Sequence, residues 1–223
     1  MYIELNTNEL YGRNLTAGAL DVMGQYYSVA SSSHAFYNYG GLVYTGNDEK
    51  ALFDNMWQKC YAVIACCNTI IEKCDENKAG LSPVWRGSIK GEALALRAML
   101  HFDMLRLFGP LTSELDKESI PYQTNSDQTV TPLLSGSEVV GLILDDLKNA
   151  VGLLKDTDPY FVEEEFSDTD LNYRRFRMNY FAAKGLMARV QLWGGDKEKA
   201  AATAKEVIAE GQAEGAEFFP FVT

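Results

Sequence analysis

The 223-residue sequence contains no apolar run of about 18 residues, the length that a membrane-spanning helix needs. Basic residues are scarce, since 20 Lys and Arg stand against 31 Asp and Glu and give a net charge of −11. Proteins that bind nucleic acid or anionic lipid use basic patches to neutralise phosphate, so this balance argues against both. Hydrophobic residues make up 47% of the chain, which is typical of a folded protein.

Residue types that build catalytic and metal sites are also few. The chain has two histidines, and the GxSxG, GxxxxGK[ST], GxGxxG and HExxH motifs are all absent. There is no CxxC pair, and the cysteines fall in one predicted helix, where their spacing does not suit a disulfide: Cys60, Cys66, Cys67 and Cys74. We therefore expect small buried thiols, no metal ion, no cofactor and no catalytic residue.

The dominant pattern is helical, because apolar residues recur at spacings of three and four. A first amphipathic stretch covers residues 10–30, interrupted by Gly12, Gly18 and Gly24, and Ser137 is the predicted N-cap of a later helix. Residues 111–136 show no period and are predicted to form a long loop, and a strand is conceivable only around 42–44. The other predicted helices are 48–74, 84–108, 137–154, 178–193 and 197–211.

The last two predicted helices resemble a tetratricopeptide (TPR) hairpin over residues 178–211. They are joined by a three-residue turn, and Ala188 and Ala200 supply small residues where two helices approach closely. We expect an all-α fold of TPR-like helical hairpins with long irregular loops. The hairpin alone also permits a peptide-binding TPR adaptor, which would need several tandem repeats around one groove.

A loop rich in tyrosine, glycine and serine covers residues 31–47. Sugars present an apolar C–H face and a rim of hydroxyls, which suit an exposed tyrosine ring and nearby hydrogen-bonding groups. We predict that Tyr37, Asn38, Tyr39 and Tyr44 bind a ligand in this way. The alternative is that these rings pack onto the neighbouring helices.

Charges of both signs lie among apolar residues in the predicted helix 84–108. Glu92 and Arg97 should therefore be partly buried, and buried charges need partners. We predict that both are structural and fix how the helices meet. The acidic stretch 156–170 is a different case, because a charge run in a loop usually stays solvated. It leaves open a calcium site or a glycoside hydrolase as alternatives.

Three segments of the chain are informative in combination. The first is Trp57-x3-Tyr61-x2-Ile64-x3-Asn68, in which we expect Trp57 and Asn68 to be structural. The second is Gly91-Glu92-Ala93-x3-Arg97-Ala98-x3-Phe102, which closes on Phe108-Gly109-Pro110. The third is the helical hairpin, from Ala182-Ala183-Lys184 to Val207-Ile208. In this order, the three segments together resemble the amino-terminal part of SusD/RagB-like outer-membrane proteins.

The resemblance implies a non-catalytic, glycan- or nutrient-binding surface lipoprotein of polysaccharide utilisation. Its implied partners are a glycan and a SusC-like TonB-dependent transporter, which the TPR region would face. Such a protein is held at the outer membrane by a lipid-carrying Cys after a signal peptide, and this chain has neither. We therefore expect residues 1–223 to be a single all-α domain, the amino-terminal part of a longer protein.

Overall fold

The computed structural model describes residues 1–127, 129–162, 166–167, 169 and 173–213. These residues are mostly helical, so the all-α prediction is confirmed. The chain forms two compact units, Met1–Cys66 and Cys67–Thr223, and the prediction of a single domain stays a prediction. Within the described residues, we find no helix that combines the length and the hydropathy needed to cross a membrane.

The described helices and strands follow the predicted order closely in the second half of the chain. Three short helices and a long one come first in the chain, and two short strands separate later helices in the second unit. In chain order the elements are α1 (Tyr2–Leu5), α2 (Ala19–Met23), α3 (Tyr37–Gly40), α4 (Asn47–Glu76), α5 (Pro83–Phe108), β1 (Glu118–Pro121), β2 (Leu133–Ser135), α6 (Gly136–Thr157), α7 (Tyr180–Trp193) and α8 (Lys197–Ala213).

The helix predicted over residues 10–30 is wrong, because only the five residues of α2 are helical there. The rest is a series of tight turns. At Gly12 a Cβ atom would lie 2.6 Å from the carbonyl oxygen of Asn6, so the chain doubles back where a larger residue would clash. Gln25 ends the segment with a φ of 61°, a left-handed conformation that a continuing helix does not allow.

Two smaller predictions are also wrong. Residues 42–44 form no strand, because Leu42 has a φ of 54° and lies in a turn. The N-cap of α6 is Ser135 rather than Ser137. The Ser135 hydroxyl accepts a hydrogen bond from the backbone N–H of Glu138, and the Glu138 carboxylate accepts one from the backbone N–H of Ser135. This reciprocal capping box places the N-cap two residues earlier than the predicted Ser137.

The core of the second unit is the packing of α5 against α6. Most of α5 is buried on all sides, as the sequence predicted for this helix. Gly91 allows the close approach, because a Cβ there would lie 2.8 Å from Cγ of Leu154. On α6, the residues that face this core repeat with helical spacing: Val139, Ile143, Leu147, Ala150 and Leu154.

The predicted loop 111–136 contains a two-stranded antiparallel sheet. β1 pairs with β2, with Glu118 opposite Ser135 and Pro121 opposite Leu133, and the register shifts between these pairs. Strands of three and four residues are too short to show a clear alternation in sequence. The sheet leads the chain to the start of α6, within a segment that is predicted from sequence to be a loop.

The hairpin of α7 and α8 lies at the end of the described second unit. Asn179 caps α7 by accepting a hydrogen bond from the N–H of Ala182, and Gly195 makes the turn with a φ of 92°. Across the pair, Nζ of Lys184 lies 2.8 Å from the carboxylate of Glu210. The predicted hairpin is thus present, with helices of 14 and 17 residues.

Candidate functional site

A cavity of about 410 Å³ opens in the first unit, beside the tyrosine-rich loop. It is lined by two segments, one from the turn after α2 and the other from α3 and the turn that follows it. The lining residues are Gln25, Tyr27, Ser28, Val29, Tyr37, Asn38, Gly40, Gly41 and Val43. They combine aromatic faces with amide, hydroxyl and backbone groups and carry no charge.

Two tyrosine rings of the cavity are accessible. Tyr37 is 42% exposed and Tyr27 is 56% exposed, and the neighbouring Tyr26 is more exposed still. Exposed rings of this kind offer an apolar face to a ligand while their hydroxyls stay in water. Of the four predicted ligand-binding residues, Tyr37 and Asn38 line the cavity.

Tyr39 and Tyr44 are placed differently. Tyr39 is 3% exposed, and its ring centroid lies 5.8 Å from that of Phe36 and 6.1 Å from that of Phe53. Tyr44 is half-buried and meets Phe53 edge-on at 5.3 Å. Burial raises the pKa of Tyr39 and of Tyr44. These two rings support the loop from beneath, and Tyr39 offers no ring face to a ligand.

Sequence reasoning missed the segment that carries Gln25, Tyr27 and Ser28, because it assigned residues 10–30 to a helix. A usable signal was present. Tyr26 and Tyr27 are adjacent and follow Gly24, and adjacent residues on a helix point in different directions. Two neighbouring tyrosines after a glycine indicate an exposed turn better than one buried helix face.

A buried carboxylate lies beside the cavity. Nδ2 of Asn38 donates a hydrogen bond of 2.7 Å to Oε1 of Glu49, a residue in the first turn of α4 that is 5% exposed. This hydrogen bond lowers the pKa of Glu49. No sequence pattern singles out Glu49, because its partner Asn38 is eleven residues away.

In the second unit, the Arg97 side chain joins three elements. Its Nε and Nη2 atoms donate to the two carboxylate oxygens of Asp146 on α6, both at 2.7 Å, and Nη1 donates to Oδ1 of Asn68 on α4 at 2.8 Å. The hydroxyl of Tyr122 donates to the same Asp146 at 2.6 Å. Paired, fully hydrogen-bonded charges of this kind are what a buried arginine requires.

Asn68 and His101 hold the chain that follows β1. Nδ2 of Asn68 donates to the carbonyl oxygens of Gln123 and Asn125, at 3.2 and 2.7 Å. Burial lowers the pKa of His101 to about 3, so its ring is neutral. Nε2 accepts a hydrogen bond from the N–H of Gln123, and Nδ1 therefore donates to the carbonyl oxygen of Arg97. Residues 123–125 are thus fixed by buried side chains.

Glu92 belongs to a second buried cluster, centred on Arg174. Nη1 of Arg174 donates to Glu92 at 2.8 Å, while its Nε and Nη2 atoms donate to Asp158 at 3.0 and 2.7 Å. Asp158 is fully buried and also accepts from the N–H of Tyr180, the first residue of α7. The cluster ties α5, the end of α6 and the start of α7 together.

Trp57 and the cysteines are part of the packing of α4. The Trp57 ring lies 4.7 Å from that of Tyr61, one helical turn along. Among the cysteines, Cys60, Cys67 and Cys74 are buried, Cys66 is exposed and all four are free thiols. The structural roles predicted for Trp57, Asn68, Glu92 and Arg97 stay predictions, and the contacts described here are the basis on which mutation can test them.

The acidic stretch 156–170 is only partly described. Asp156 is exposed and Asp158 is held by Arg174, while the acids at 163–165, 168 and 170 lie outside the described residues. Across the part of the chain that is described, no cluster of three or more His, Cys, Asp or Glu could hold a metal ion.

The alternative of a tandem-repeat adaptor has little support. Tandem repeats would have helices of uniform length, whereas α4 to α8 contain 30, 26, 22, 14 and 17 residues.

The sequence is similar to a family model and to two curated proteins. The family model described as "Starch-binding associating with outer membrane" matches residues 17–192. The "SusD-like protein P38" of Formosa agariphila is 28% identical over 158 residues, which are 70% of this chain and 26% of that protein. A "SusD-like protein" of Bacteroides ovatus is 30% identical over 146 residues, 64% of this chain and 23% of that protein.

The fold is similar to that of solved structures as well. A SusD-like carbohydrate binding protein from Bacteroides vulgatus superposes with a TM-score of 0.71 at 23% identity, over 90% of this chain and 40% of that one. The present chain therefore spans about a quarter of the length of the curated relatives it matches.

Proposed function

The chain belongs to the SusD-like family, and from this premise we propose that it is a non-catalytic glycan-binding part of a surface protein for polysaccharide uptake. The family's own description names starch binding and association with the outer membrane. The observation that carries the proposal is the cavity of the first unit, where the exposed rings of Tyr27 and Tyr37 stand beside hydrogen-bonding groups.

The chemistry of the cavity favours a neutral sugar. Aromatic rings bind the apolar C–H face of a pyranose, and the amides of Gln25 and Asn38 and the hydroxyl of Ser28 hydrogen-bond its hydroxyls. The lining residues carry no charge that would pair with a uronic acid or a sulfate. We expect neutral oligosaccharides to bind better than anionic ones.

Binding without bond cleavage is consistent with how the buried acids are used. Proton transfer in glycoside hydrolysis needs one carboxyl group that is free to donate and a second that is free to act as base or nucleophile. Asp146, Asp158 and Glu92 instead accept hydrogen bonds from Arg97 or Arg174. These carboxylates stabilise the scaffold.

Within this proposal, the protein works with a SusC-like TonB-dependent transporter and is lipid-anchored at the cell surface in its longer form. The α7–α8 hairpin is the surface we assign to that partner, because Leu192 and Ile208 are 58% and 48% exposed on it. Co-purification from detergent-solubilised outer membranes tests the partnership. Recovery of the protein without any TonB-dependent transporter would contradict it.

Replacing Tyr37 with alanine should weaken glycan binding about tenfold, since a lost ring contact of about 1.4 kcal/mol corresponds to that factor. The measurement is isothermal titration of the purified protein with maltoheptaose, laminarihexaose, cellohexaose, mannohexaose and an oligogalacturonate. Tyr173→Ala is the matched control, because Tyr173 is 59% exposed but lies in the second unit. Equal affinities for wild type and Tyr37→Ala would exclude the cavity as the binding site.

A further inference from the structure

The contact between Asn38 and Glu49 joins an exposed residue of the cavity to a buried carboxylate. Asn38 lines the cavity and is exposed, whereas Glu49 is 5% exposed. The two side chains meet through the 2.7 Å hydrogen bond from Nδ2 of Asn38 to Oε1 of Glu49. Glu49 itself is not among the lining residues, and Asn38 is the lining residue to which its side chain is hydrogen-bonded.

The identity of the buried partner fixes which way the amide points. An ionised carboxylate can only accept hydrogen bonds, so the amide NH₂ group of Asn38 must face Glu49. The amide group is planar, and its Oδ1 atom therefore lies on the side away from Glu49. An asparagine without such a partner could present either its oxygen or its nitrogen to a ligand.

The carboxylate of Glu49 also lies close to the backbone that precedes α4. A Cβ atom at Gly46 would collide with Oε2 of Glu49, so glycine at position 46 leaves the room that the carboxylate occupies. The hydrogen bond from Asn38 is the directional contact between this carboxylate and the cavity lining.

We propose that Glu49 is a positioning residue that orients Asn38 so that Oδ1 accepts a hydrogen bond from a hydroxyl group of a neutral glycan in the cavity. The inference rests on the proposed function, because it assigns a polar contact within the same site. It also specifies the ligand: a sugar with a free hydroxyl at this point binds, and one with a carboxylate there meets an acceptor and is disfavoured.

An exchange of the two polar groups tests this orientation. Asn38→Asp places two carboxylates against each other and should weaken binding about tenfold. In the double variant Asn38→Asp/Glu49→Gln the hydrogen bond between the two side chains is restored with donor and acceptor exchanged. The glutamine at position 49 donates, and the aspartate at position 38 accepts. It still presents an oxygen acceptor to the cavity, so its affinity should return to within about threefold of wild type.

Calorimetry with the neutral oligosaccharide that binds wild type most tightly, chosen from the four named above, provides the readout. Thermal unfolding of each variant checks that the fold is intact. If Asn38 instead donated its N–H to the ligand, the double variant would bind as weakly as Asn38→Asp, and the proposal would be overturned.

The same titrations separate this inference from the proposed function. A loss of binding in Tyr37→Ala without rescue in the double variant overturns only the role of Glu49. Unchanged binding in Tyr37→Ala overturns the cavity as a glycan site, and the inference with it. A loss in Tyr37→Ala with unchanged binding in Asn38→Asp overturns only the role of Glu49. Loss in both single variants with rescue in the double variant supports both.

Discussion

Replacing Arg174 with alanine is expected to lower the free energy of unfolding by about 3–5 kcal/mol, the cost of breaking a buried ion pair by removing one partner. Arg174 is 2% exposed and donates to Glu92 and Asp158, which are themselves buried. Without the guanidinium group, Glu92 and Asp158 lose their ion pairs with Arg174 and remain buried in the protein interior. Both the burial of each charge and their mutual repulsion then act against the folded state.

Arg175→Ala is the matched control for this variant. Arg175 is the next residue, and its exposed guanidinium group lies over the ring of Phe176 rather than in the buried cluster. We expect a change within about 0.5 kcal/mol, the usual range for an exposed site. Urea denaturation of both variants gives the comparison, and similar small losses would show that the cluster contributes little.

Arg97→Ala should lower the free energy of unfolding by a comparable amount, about 3–5 kcal/mol, for a related reason. Asp146 would lose both hydrogen bonds from the guanidinium group and keep only that from Tyr122. Oδ1 of Asn68 would lose the bond from Arg97, and this residue also holds the backbone after β1. We expect the loosened segment to show faster amide hydrogen exchange at Gln123 than in wild type.

Arg106→Ala serves as the control on the same helix. Arg106 lies near the end of α5, where its side chain is 37% exposed and pairs with Asp103 three residues away. Exposed pairs of this kind contribute up to about 1 kcal/mol. A loss for Arg97→Ala no larger than that for Arg106→Ala would mean that the structural role assigned to Arg97 is wrong.

The long helices could be predicted because their burial leaves a periodic record in sequence. Apolar spacing predicts helices over residues 48–74 and 84–108, and the structure has helices over Asn47–Glu76 and Pro83–Phe108. The same method failed at residues 10–30, where apolar residues occur at helical spacing but the backbone folds into turns. Periodicity reports which residues are buried, and it does not report whether glycines let the chain double back.

The partners of the buried charges could not be predicted, although the need for partners could. Burial of Glu92 and Arg97 implied countercharges, but Arg174 is 82 residues from Glu92 and Asp146 is 49 residues from Arg97. The packing of α5 against α6 brings Arg97 to Asp146, and the fold of the segment before α7 brings Arg174 to Glu92. Neither arrangement is specified by one helix alone. Sequence reasoning therefore identified one member of each pair.

Two of the four predicted ligand-binding residues lie at the cavity, and two do not. Tyr37 and Asn38 stand in a loop whose composition suggested a ligand, and they line the cavity. Tyr39 has the same composition around it, but its ring packs against Phe36 and Phe53. Residue type marks a candidate contact, whereas the exposure of each side chain depends on the side of α3 from which it projects.

The most direct test of the account is the heat released when a neutral oligosaccharide is injected into the purified protein. If the protein binds glycans without cleaving them, each injection gives a pulse that returns to baseline, and the pulses shrink to the heat of dilution as the site fills. A steady heat signal that persists after each injection would indicate turnover and contradict a binding role. Pulses at the dilution level for every glycan tested would contradict glycan binding itself.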